Sequence, residues 1–179
     1  MEFCNELVDS AKGGILFIDE AYSLANDDRF GQEAIDALIK LIEDNRDNLI
    51  VIVAGYFKEM QDFLESNPGM KSRFNRYINF EDYSKEDLIK IFELLCREGA
   101  YKLSINGKNE LSKLIDEVLL RKNRNFGNAR VIRNIFEKVI TYQSNRLVTI
   151  NNITTEDMIT IDESDIKSFM KNEGVENLN

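Results

Sequence analysis

The stretch richest in potential chemistry is Gly13-Gly14-Ile15-Leu16-Phe17-Ile18-Asp19-Glu20-Ala21. Its continuous apolar run, Ile15 to Ile18, suits a short strand buried on both faces of a parallel sheet. Two carboxylates directly after such a strand lie at the C-terminal edge of the sheet, where open α/β folds bind ligands. Asp19 could hold Mg²⁺ through water, because this ion is commonly bound by one or two carboxylates together with phosphate oxygens. Glu20 could then orient or deprotonate an attacking water. The plainer alternative is that Asp19 caps the next helix.

Two arginine positions complement the acidic pair. Ser72-Arg73-Phe74 follows a helix break at Asn67-Pro68-Gly69. Arg73 is either an ordinary solvated residue or a finger inserted into a neighbouring subunit's active site, where planar guanidinium donors stabilise charge on a transferred phosphoryl group. Arg76 is a second candidate on the same element. Further on, Phe126-Gly127-Asn128-Ala129-Arg130 opens a helix, with Gly127 allowing a sharp turn and Asn128 able to cap. Arg130 then projects from the first turn, where the helix dipole opposes a cation, so the placement calls for an anionic partner. A nucleotide phosphate and a nearby carboxylate both meet that need.

These residues need elements to position them. Leu49 to Ala54 reads as a second buried strand, and Gly31 to about Arg46 between the strands carries a helical stripe of Ala34, Ile35, Leu38, Ile39 and Ile42. A short helix with Met60, Phe63 and Leu64 on one face follows, then a brief third strand at Tyr77-Ile78-Asn79-Phe80. That alternation is the grammar of an α/β layer. Beyond Asp82 the pattern becomes all-helical. Ser84 caps one helix with Asp87 three residues on, a second runs from about Asn109 to Leu120, a third starts near Asn128, and Ser164-Asp165 signals a fourth. Residues from Asn172 to Asn179 are expected to fray.

Composition narrows the chemistry. The chain has 179 residues, 43% of them hydrophobic and 31% charged, as in a globular protein. A net charge of -9 argues against wrapping nucleic acid. The local cluster Arg121, Lys122 and Arg124 reads as a solvated helix end. With no histidine, a zinc site or a His-based acid–base mechanism is essentially excluded. Cys4 and Cys96 show no metal-type spacing and fit reduced structural thiols of a cytoplasmic protein. No apolar run is long enough to span a bilayer, and the N-terminus lacks a signal core.

Four strings in order, GGILFIDEAYSLA, FGQEAIDALIKLIEDNRDNLIVIVAGY, SNPGMKSRF and FGNARVIRNIFE, resemble the CbxX/CfqX branch of the AAA+ ATPases, from about residue 10 to residue 150. The resemblance implies an α/β fold: a partial P-loop NTPase parallel sheet (strands 3, 4 and 5 of the order 5-1-4-3-2), followed by an all-α helical lid. Residues 1–82 would be the C-terminal part of the nucleotide-binding core, 83–150 the lid, and 151–179 a helical extension. It further implies that Asp19 and Glu20 form the Walker B pair, with Asp19 organising Mg²⁺ and Glu20 as catalytic glutamate. Arg73 matches the arginine finger acting in trans, Arg130 the sensor-2 arginine, and Tyr56 the sensor-1 position, although Tyr is not the usual residue there. Implied cofactors are ATP and Mg²⁺. Implied partners are like subunits in a ring, a hexamer when complete, and a protein to be remodelled.

One departure stands out. A phosphate-binding loop requires G-x-x-x-x-G-K-[ST], and none of the nine glycines stands in that arrangement. The expectation is a fragment, or a split or truncated gene product, with exposed strand edges and a destabilised or self-associating core. The rival reading is a non-hydrolysing module that assembles with complete subunits and lends them Arg73. A DNA-acting motor is disfavoured by the acidity. Phosphate release by the isolated chain is expected to be little or none. Turnover comparable to a whole AAA+ subunit, abolished by Glu20→Gln, would refute this.

Overall fold

The computed structural model describes residues 2–25, 29–122 and 126–174, without the side chains of residues 2–5, 29, 30 and 32. The chain divides into two compact units, Met1–Phe80 and Glu81–Asn179.

The first unit runs α1 (Glu2–Ala11), β1 (Ile15–Ile18), a 3-10 turn (Ala21–Ala25), α2 (Arg29–Asp44), β2 (Ile50–Val53), α3 (Phe57–Ser66) and α4 (Pro68–Arg73). Helix α1 has no counterpart in the sequence reading, and it buries Val8. Strands β1 and β2 pair in parallel, Ile15 opposite Ile50 and Ile18 opposite Val53. Strands 3 and 4 of the expected order are likewise neighbours. Ala21, Ile35, Phe63, Leu64 and Met70 form the core, with Ile18 and Val53 packed against it.

Three expectations need correction here. The strands are covered on one face only, because alternate side chains point to opposite sides and the core forms on one of them. Ile15, Phe17, Ile50 and Ile52 on the other face keep 43–61% of their surface exposed. Tyr77–Phe80 forms no strand, and Tyr77, Ile78 and Phe80 are exposed. A strand exists only where a neighbour completes its ladder, and among the described residues β1 and β2 pair only with each other. Finally, Pro68-Gly69 opens a helix as well as following one. Asn67 Oδ1 accepts the Gly69 N–H at 2.8 Å, and Pro68, with no N–H to leave unsatisfied, fits the first turn.

The second unit comprises α5 (Lys85–Glu98), β3 (Lys102–Leu103), α6 (Ile105–Leu120), α7 (Ala129–Val148), α8 (Thr155–Ile159), β4 (Thr160–Ile161) and α9 (Glu163–Asn172). Its cap chemistry follows the sequence closely. Ser84 Oγ accepts the Asp87 N–H as expected, at 3.2 Å. Ser104 Oγ accepts the Gly107 N–H at 2.9 Å, which starts α6 ahead of the expected Asn109. At α9 the cap is Asp162 rather than Ser164, in a reciprocal box with Asp165. The core gathers Leu88, Phe92, Leu114, Ile132 and Ile135 together with Ile161, Ile166 and Phe169, so it continues through to α9. Phe92 meets Phe136 edge to face at 5.5 Å. A two-residue parallel ladder between β3 and β4 is an addition to the all-helical expectation. Of the expected frayed tail, residues 175–179 lie outside the described residues, as does Arg124. Among the described residues no helix is long and apolar enough to cross a membrane.

A buried polar network ties α7 to the C-terminal elements. Gln143 Nε2 donates to the Met158 carbonyl at 2.7 Å. Arg146 grips Asp165 through Nε at 2.7 Å and Nη2 at 3.1 Å, and Nη2 also donates to the Thr160 carbonyl at 3.0 Å. Asp165 is 1% exposed and Arg146 25%. Removing one member strands the other, so Asp165→Ala is expected to cost about 2–4 kcal/mol. Urea unfolding followed by circular dichroism checks this; a loss below about 0.5 kcal/mol would mean that the pair behaves as a surface bridge.

Candidate functional site

At the C-terminal end of β1 the backbone turns sharply. The Ala54 N–H donates to the Ile18 carbonyl at 2.9 Å, and the Ala54 carbonyl accepts the Ala21 N–H at 3.1 Å. Asp19 and Glu20 are the two residues left outside that ladder, and Glu20 adopts a left-handed φ of 48°. A non-glycine residue there carries strain, which tends to gather at functional sites. Both side chains are exposed, and Asp19 Oδ1 accepts the Glu20 N–H at 3.0 Å. Asp19 thus folds back on its own turn without capping a long helix.

Tyr56 follows β2, and parallel strands bring it to the same sheet edge as the acidic pair. It occupies the N-cap position of α3 but makes no side-chain cap bond. Gly55 beside it allows the ring of Tyr22 to lie against the backbone: a Cβ there would stand 2.7 Å from Tyr22 Cε1 and 2.9 Å from Met60 Sδ. Tyr22 is a residue that the sequence reading missed. Burial and then the charge of Glu20 hold its phenol above the ordinary value, with further contributions from Tyr56, Glu59 and Asp19. The only signal for it in the sequence was its place beside the acidic pair.

Among the described residues no group of three or more metal-ligating side chains gathers. Asp19 offers one exposed carboxylate at this edge, the kind of donor that a Mg²⁺ completed by water and phosphate oxygens takes.

Arg73, the last residue of α4, is folded inward. Its Nη2 stands 3.2 Å from Glu43 Oε2 near the end of α2, and its Nη1 donates to the Gly69 carbonyl at 3.1 Å. Helix α2 crosses from the C-terminal edge of the sheet back to its N-terminal edge. Arg73 therefore sits at the end of α2 remote from Asp19 and Glu20. Arg76 is exposed in the irregular segment beyond.

In the second unit, Arg130 is exposed in the first turn of α7. Asn128 precedes it but does not cap with its side chain, contrary to expectation, because φ 47° and ψ -119° turn the chain differently from an ordinary N-cap. Its Nδ2 donates to Asp82 Oδ1 at 2.5 Å, and its Oδ1 accepts the Tyr83 N–H at 3.0 Å. Lys122 pairs with the same Asp82 carboxylate and lies 5.7 Å over the Phe126 ring. Lys122 and Asn128 hold the Asp82 carboxyl below its ordinary range. This knot fixes the backbone from which Arg130 emerges. Asp19, Glu20, Tyr56 and Arg73 belong to the first unit, Asn128 and Arg130 to the second.

Comparison with known proteins gives the family. Residues 2–82 match the family described as "ATPase family associated with various cellular activities (AAA)", and residues 84–176 match "AAA lid domain". Protein CbbX of Cereibacter sphaeroides is 40% identical over 169 residues, covering 91% of this chain and 54% of CbbX. Stage V sporulation protein K of Bacillus subtilis (strain 168) is 41% identical, covering 90% and 51%. The chloroplastic ribulose bisphosphate carboxylase/oxygenase activase of Cyanidioschyzon merolae is 35% identical, covering 90% and 56%. A closed-state reconstruction of Hsp104 with ATPγS and casein shares the fold at 16% identity, with a TM-score of 0.60 over 99% of this chain and 30% of that one. The chain belongs to the AAA family, and CbbX and CfxQ proteins are among its relatives. It spans about half the length of the curated relatives it matches.

Asn128→Ala removes both bonds to the segment 82–83 and is expected to destabilise the second unit by about 1–3 kcal/mol. Asn128→Gly should cost less by roughly 1 kcal/mol, since glycine accepts a positive φ freely. The lowered Asp82 carboxyl contributes stability above the ordinary carboxylate pKa and loses it as pH falls through its depressed value. The Asn128→Ala penalty should therefore shrink below about pH 4. Thermal melts of the variants at pH 7 and pH 3 measure this; an equal penalty at both pH values would separate Asn128 from Asp82.

Proposed function

We propose that the chain is part of an AAA+ ATPase subunit that binds and hydrolyses ATP to remodel a protein partner within a ring, a hexamer when complete, in the cytoplasm. Asp19 organises Mg²⁺ through water as the Walker B aspartate, and Glu20 activates the attacking water. When bound, the ion neutralises charge on the phosphate oxygens. Tyr56 stands at the sensor-1 position. Arg130 contacts the γ-phosphate from the lid as sensor 2, with Asn128 holding its turn. Arg73 acts in trans as an arginine finger on the nucleotide of a neighbouring subunit.

The observation that carries this reading is the separation of charges within the first unit. The carboxylate pair occupies the ligand-binding edge of a parallel sheet, while Arg73 lies at the remote end of α2. An arginine held at that end of the helix stands apart from its own unit's acidic edge, which favours a site shared between copies.

A second reading starts from the 179 residues of this chain, which hold no G-x-x-x-x-G-K-[ST]. On this reading the chain joins complete subunits and lends Arg73 without hydrolysing ATP.

Phosphate release from complete CbbX of Cereibacter sphaeroides, with and without added chain, distinguishes the two. The lending reading expects stimulation that falls at least about tenfold with Arg73→Ala and is unchanged by Glu20→Gln. Activity of the added chain lost with Glu20→Gln supports the hydrolysing reading. No response to either substitution overturns both.

A further inference from the structure

Arg73 is stowed in a way that leaves it only partly satisfied. Its guanidinium offers a fork of donors that fits two oxygens at once. Glu43 meets it at one nitrogen, Nη2, at 3.2 Å. Nη1 is spent on the Gly69 carbonyl at 3.1 Å and approaches Ser72 Oγ at 3.4 Å. The remaining donor, Nε, is buried and finds no hydrogen-bond partner among the described residues. An unmade bond at a buried donor is costly. The stowed pose thus holds the side chain without saturating it.

Glu43 is itself prepared for the loss of this contact. Its other oxygen, Oε1, already stands 3.4 Å from Arg46 Nη1, an exposed cation on the same helical end. When Arg73 leaves, Glu43 keeps a counter-charge. Arg46 also reaches Asp47 at 3.9 Å, so this one cation is shared between two carboxylates.

From this geometry we infer that Glu43 is an autoinhibitory latch for Arg73, holding the guanidinium against its own unit until a phosphate-bearing neighbour competes for it. The competitor has the advantage of chemistry. Two phosphate oxygens can take Nε and Nη2 together, which makes the bond that Glu43 leaves unmade. Glu43 is 47% exposed, so the latch is solvent-screened and readily reversed. The inference rests on the proposed role of Arg73 in trans and adds a residue that controls when that role is available.

Two measurements test the latch, both with Glu43→Gln, which keeps the shape and removes the charge. In the first, the Arg73 Nε–H resonance of the full chain is identified by its loss in Arg73→Lys, and its exchange with water is followed by NMR. Glu43→Gln is expected to speed that exchange about two- to fivefold, the range of a part-exposed ion pair, and pyrophosphate added to the wild type should shift the same resonance. Unchanged exchange overturns the latch. In the second, the chain is mixed with complete CbbX and phosphate release is read. Glu43→Gln should raise Arg73-dependent stimulation by a similar factor. Stimulation that needs Arg73 but ignores Glu43 overturns the latch alone. Stimulation indifferent to Arg73→Ala, or none at all, removes the in-trans reading, and with it the latch's purpose, whatever the exchange measurement gives.

Discussion

The geometry of the acidic edge depends on one short piece of backbone pairing. Ala54 spends its N–H on Ile18 and its carbonyl on Ala21, so two adjacent residues, Asp19 and Glu20, must span the gap between ladder and turn. The chain closes that gap with Glu20 in a left-handed conformation. Gly55, directly after Ala54, keeps the backbone bare enough for the Tyr22 ring to pack against it. Two parallel strands thereby hold two carboxylates in fixed, exposed positions with little further support.

The second unit solves a similar problem by different means. Arg130 has to project from a helix start whose own capping residue is diverted elsewhere. Asn128 spends its amide on Asp82 and Tyr83, and Lys122 shares the same carboxylate. The segment entering the unit is thus tied to the turn that presents Arg130. Charge here orders backbone, an effect that salt screens less when the groups are also hydrogen-bonded and partly buried.

Much of the cap chemistry was legible in advance, because capping is local. Ser84 with Asp87 reads directly from spacing, since a side-chain oxygen needs a backbone N–H only three residues away. The strand at Ile15–Ile18, from its continuous apolar run, and the helical stripe after it, from its periodicity, were legible because those signals are local too. Asn128 was misread because its cap signal competed with a carboxylate far away in sequence, Asp82. Tyr77–Phe80 was misread because β-forming residues do not make a strand without a partner, and partnership is not a local property.

By itself, the sequence determined the β1–α2–β2–α3 alternation and the adjacency of Asp19 to Glu20 at a strand end. Each of these depends on residues within a few positions of one another. Only the tertiary structure decided that one face of the sheet stays open, that Tyr22 joins the acidic edge, and that Arg73 is folded against Glu43. Those outcomes depend on which distant residues pack or pair. Residues distant in sequence meet only after burial and hydrogen bonding have chosen one fold from many with the same local pattern.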